Sequence, residues 1–65
     1  MDPDAADLSS VTSSLAELAR RVDEVARRRS VDPDDPYLAR LHEIERTLHT
    51  AERRLRVVIR ELAGP

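Results

Sequence analysis

The chain has 65 residues, 37% of them charged, with 11 basic against 13 acidic side chains for a formal net charge of −2. That length allows one small domain with little core of its own, and the near balance of charge excludes a polycation built for nucleic-acid phosphates. There is no cysteine, so disulfides and thiolate metal sites are excluded as staples, and oligomerisation remains as the means of stabilising so short a chain.

The first segment, Asp2 to Arg29, has a start signal. Asp2 suits an N-cap, Pro3 the first helical position, and Asp4 and Asp7 the positive end of a helix. A later start is also written in the chain, because Ser9, Ser10, Thr12, Ser13 and Ser14 are weak helix formers and Ser14 with Glu17 has the spacing of a capping box. The apolar rhythm favours the early start. Leu8, Val11, Leu15, Leu18, Val22 and Val25 step by three and four, and the series is already in phase at Leu8. With Leu8 as heptad position a, Ala5, Thr12, Ala19 and Ala26 all fall at position e. The apolar stripe is therefore wide and edged by small side chains, which suits a helix touching more than one neighbour at close range. The first helix is expected over about residues 3–29.

Residues 30–35 form the connection. Pro33 and Pro36 forbid one continuous helix, Asp35 and Pro36 read as N-cap and first helical residue, and the arginines before and aspartates after match the two helix dipoles. A loop this short implies antiparallel neighbours.

The second helix is expected over about residues 36–63, closed by Gly64 and Pro65. Leu41, Ile44, Leu48, Ala51, Leu55, Val58 and Leu62 form an unbroken heptad seam, with Leu38 and Ile59 on the flank equivalent to position e. Aligning the two seams sets Leu8 near Val58, Leu15 near Ala51, Val22 near Ile44 and Val25 near Leu41, with the acids Asp2, Asp4 and Asp7 beside Arg53, Arg54, Arg56 and Arg60. The fold class is thus all-α, an antiparallel two-helix hairpin of coiled-coil type in a single domain. A lone hairpin leaves part of each seam wet, so dimerisation into a four-helix bundle is expected.

Residues that carry chemistry are few. His42 and His49 recur in a short repeat, LHEIERT then LHTAERR, each followed three residues later by Glu45 or Glu52. Imidazole and carboxylate one turn apart can share an ion. The two histidines, however, stand about 10 Å apart along the helix, too far for one metal. A solvated face with local charge pairs is the expectation, with no metal and no cofactor. The serines at 9, 10, 13 and 14 have no orienting base and no cleft, so no enzyme is expected. Arg27, Arg28 and Arg29 before Ser30 have the composition of a phosphate-binding corner or a basophilic kinase site, but a helix C-terminus favours the same arginines.

All 11 basic residues are arginine, and Lys, Asn, Gln, Phe and Trp are absent, a bias that a GC-rich bacterial genome writes. Arginine in place of lysine is therefore no evidence of phosphate recognition, although its fork would suit it. No apolar run approaches the length of a membrane span, and the acidic start MDPDAADL is unlike a secretion signal. The expectation is a soluble, unprocessed cytoplasmic protein that does not engage a membrane.

The functional expectation is a non-enzymatic interaction module, an adaptor, docking or regulatory protein acting as a homodimer, by binding a larger protein, or both. Val57 beside Val58 and Ile59, with Arg53, Arg56 and Arg60, marks a candidate partner contact. The alternative is a regulatory hairpin that binds RNA or a cyclic nucleotide through surface arginines such as Arg20, Arg21 and Arg27.

Overall fold

The computed structural model describes residues 2–64; Pro65, read as part of the second helix's stop signal, lies outside them. The chain forms two helices, α1 (Pro3–Arg29) and α2 (Leu38–Ala63), that pack on each other over their length. Among the described residues there is no strand. The hairpin is a thin rod with principal extents of 49 × 14 × 11 Å.

Local chemistry accounts for the ends. The Asp2 carboxylate accepts from the backbone N–H of Asp4 at 2.8 Å and of Ala5 at 3.3 Å, satisfying two of the donors that an α-helix leaves free at its start. Pro3 occupies the first turn, where its missing N–H costs nothing. Arg27, Arg28 and Arg29 fill the last turn, where the helix end is negative. At the far end Gly64 takes a positive φ of 86°, a conformation that penalises a side chain.

The connection is longer than the proline positions imply, because α2 begins at Leu38 with Tyr37 as its cap. Asp35 directs its carboxylate to the Tyr37 N–H at 2.8 Å and to Arg29 Nη1 at 2.8 Å, while Asp32 accepts from the Asp34 N–H at 2.9 Å. Each acid closes a local turn, and Pro36 sits within a turn ahead of the helix. The Tyr37 ring lies under two guanidinium groups, Arg29 at 5.2 Å and Arg40 at 5.8 Å from its centroid. The loop is therefore tied to the last residue of α1 and to the first turn of α2.

The helices meet through position e. Ala5, Thr12, Ala19 and Ala26, expected at the edge of the α1 stripe, are its buried residues. The matching α2 series, Leu38, Glu45, Glu52 and Ile59, is half-buried except for Glu52, which is buried. Antiparallel order sets the small residues of one helix against the longer ones of the other, and small side chains let the backbones approach. The a-to-d register expected from the seams is thereby replaced. Position a lines the border of the contact, half-buried at Leu8, Leu15, Val22, Leu41, Leu48 and Leu55, whereas at position d Val11, Leu18, Ile44 and Val58 are exposed and Val25 and Ala51 half-buried. Charge does not join the helices as expected either. Among the described residues the ion pairs lie within a helix, apart from Arg29 with Asp35, and none links Asp2, Asp4 or Asp7 to the α2 arginines.

Candidate functional site: an open apolar face

In an α-helix position d lies about 100° round from position e, and two antiparallel helices that meet at e present their d stripes on the same side. The hairpin shows this. At position d, Val11 and Leu18 on α1 are each 49% exposed and Ile44 and Val58 on α2 are 47% and 41% exposed; Leu62, at position a in the last turn of α2, is 37% exposed. Val25 and Ala51 complete the two d series, and the half-buried a residues border them. The twelve apolar residues read from the sequence as a seam, Leu8, Val11, Leu15, Leu18, Val22, Val25, Leu41, Ile44, Leu48, Leu55, Val58 and Leu62, occupy positions a and d on this side of the hairpin. By contrast, among the described residues the only buried apolar ones are alanines, and no large side chain is fully buried.

The remaining candidates divide between two faces. Val57 is 42% exposed beside Val58 at the end of α2. Ile59 is drawn into the helix contact instead, beside Ser9, Thr12, Arg56 and Arg60 in a shallow depression on the opposite face. Arg56 is engaged with Glu52, and Arg53 donates to Thr50 Oγ1 at 3.2 Å. Of the arginines considered for nucleotide binding, Arg20 is bracketed by Glu17 at 2.6 Å and by Glu24, and Arg27 pairs with Asp23 at 2.8 Å. The Arg20 guanidinium holds the Glu17 carboxyl below its ordinary pKa, and Glu17 in turn raises that of Arg20.

The histidine–glutamate repeat is arranged otherwise than as a solvated face. His42 and His49 are exposed, but Glu52 is 5% exposed and its neighbour in the series, Glu45, is half-buried. Both glutamates sit at position e and project into the helix contact. Glu52 Oε2 accepts from Arg56 at 3.3 Å, and its Oε1, 3.4 Å from His49 Nδ1, has no hydrogen-bond donor within the chain. Glu45 Oε1, 3.7 Å from His42 Nδ1, is in the same state. Their seven-residue spacing with Leu38 and Ile59 was the available signal, hidden because two of the four positions are charged. Among the described residues no three potential ligands converge on a metal site.

Two hydroxyls of α1 have local partners: Ser9 donates to the Ala5 carbonyl at 3.0 Å, and Thr12 to the Leu8 carbonyl at 2.8 Å. No helix among the described residues is long and apolar enough to cross a membrane. Set against known protein families, curated proteins and solved structures, the chain matches none.

Proposed function

We propose that the chain is a non-enzymatic protein–protein interaction module, which works by docking its open apolar face against other helices and thereby builds a four-helix bundle. One observation carries this reading: Val11, Leu18, Ile44 and Val58, at position d of the two helices, are exposed on a single side, while among the described residues the hairpin's own contact buries only alanines, a threonine and a glutamate. An apolar stripe exposed on both helices of a rod 49 Å long is the kind of surface that marks an interaction site. The locally bonded hydroxyls and the shallow surface depressions support a binding role over a catalytic one.

If association completes the fold, stability depends on protein concentration. Thermal unfolding followed by circular dichroism is expected to shift to higher temperature across a hundredfold rise in concentration. A midpoint independent of concentration would contradict the proposal.

A further inference from the structure

We infer that the occupant of the open face is a second copy of this chain, docked with its loop at the opposite end of the bundle, so that α1 packs antiparallel on α1 and α2 on α2. The inference rests on the reading of the chain as an association module, and it names the partner and the partner's orientation.

The charges along the rim argue for it. Outside each d stripe lies position g, occupied by Asp7, Ser14, Arg21 and Arg28 on α1 and by Arg40, Thr47, Arg54 and Glu61 on α2. Apart from Arg54, which lies toward the chain termini, its sign changes along the rod: Arg21, Arg28 and Arg40 stand toward the loop, Asp7 and Glu61 toward the termini. Among the described residues none of these five forms an ion pair within the hairpin. With loops at opposite ends, Asp7 falls opposite Arg28 of the second copy, and Arg40 opposite its Glu61, each pair made twice by symmetry. With loops at the same end, α1 lies on α2 of the second copy, Asp7 falls opposite Glu61, and Arg28 opposite Arg40. Like charges at both ends oppose that arrangement, and the open face selects its partner's direction by repulsion as much as by attraction.

The apolar layers agree. Antiparallel self-pairing of α1 about a centre between Ala16 and Glu17 sets Leu15 on Leu18 of the second copy, Val11 on Val22 and Leu8 on Val25. The same operation on α2, about a centre between His49 and Thr50, sets Leu48 on Ala51, Ile44 on Leu55 and Leu41 on Val58. A single two-fold axis serves both helices only if the two centres lie at the same height along the hairpin. Ala16 and His49 both line one depression between the helices, which puts the two centres in the same stretch of the hairpin. A two-fold second copy needs such a shared centre, and the hairpin provides one.

Introduced cysteines read the arrangement directly, since the described chain has none of its own. The Ser14→Cys/Arg21→Cys variant places thiols that face each other only when the loops are at opposite ends. Within one chain the two positions are about 10 Å apart along the helix, beyond disulfide reach. The Ser14→Cys/Arg54→Cys variant faces only when the loops are at the same end. Under mild oxidation the first is expected to give a covalent dimer in at least about fivefold higher yield than the second, with the unmodified chain dimeric by sedimentation. The reverse preference, or a dimer in which neither pair links, overturns the proposed orientation while leaving association intact. An unmodified chain that stays monomeric at every concentration overturns the association reading as well.

Discussion

The two long faces of the hairpin are built from opposite materials. The inner face sets Ala5, Thr12, Ala19 and Ala26 against Leu38, Glu45, Glu52 and Ile59, short side chains on one helix and two carboxylates on the other. The open face carries Val11, Leu18, Ile44, Val58 and Leu62. The chain therefore spends little of its apolar bulk on holding its own helices together. The inner face fixes the distance and direction of the helices, and the open face carries the apolar surface that the proposed assembly would bury.

That contrast is tested most severely on the open face. Leu18→Asp combined with Ile44→Asp puts four charges into one bundle, at sites where each lost apolar burial is worth about 1.5–3 kcal/mol. The expected result is self-association weakened on the order of a thousandfold or more, read by sedimentation equilibrium. The inner face responds differently. Ala19→Leu forces bulk into the close approach of the helices and is expected to destabilise by about 1–3 kcal/mol, seen as a lower thermal midpoint with the dimer stoichiometry retained where folded. Glu52→Leu replaces a buried carboxylate with the residue type of its series neighbours, and a gain of about 1 kcal/mol or more is expected from denaturant unfolding. Asp2→Ala removes the α1 cap at a cost of about 1 kcal/mol, with helicity lost first near the N-terminus.

The smallest effect belongs to the loop. The Tyr37 N–H, aided by the Arg29 guanidinium, holds the Asp35 carboxyl below its ordinary pKa. A carboxyl depressed on folding contributes stability that is complete above its unfolded value, about 4, and is lost as pH falls through the lower folded value. Acid titration of the thermal midpoint is expected to fall in that window, and Asp35→Asn to flatten that part of the curve.

The helices themselves were legible because each rests on local signals: Asp2 and Pro3 at one end, the prolines of the loop, and the three-and-four spacing of Leu8 to Val25 and Leu41 to Leu62. Which stripe faces the sister helix was not. A run of Leu and Val at positions a and d reads as the contact between the two helices, yet alanines win that place because short side chains let two helices approach closely. The larger residues at positions a and d border and overhang the contact rather than filling it. Glu45 and Glu52 were read as solvent-facing for a related reason: pattern reading assigns charge to water, whereas a glutamate's long stem here spans the helix contact. The start of α2 was displaced because Asp35 satisfies the turn and Arg29 rather than capping the helix at Pro36.

The most direct test of the account is the mass of the unmodified chain by sedimentation equilibrium from low micromolar to millimolar concentration. The account predicts a species of twice the 7.4 kDa chain mass, dissociating on dilution with loss of helicity. A helical monomer of 7.4 kDa across the whole range would contradict it, because the open face would then be stable in water without a partner.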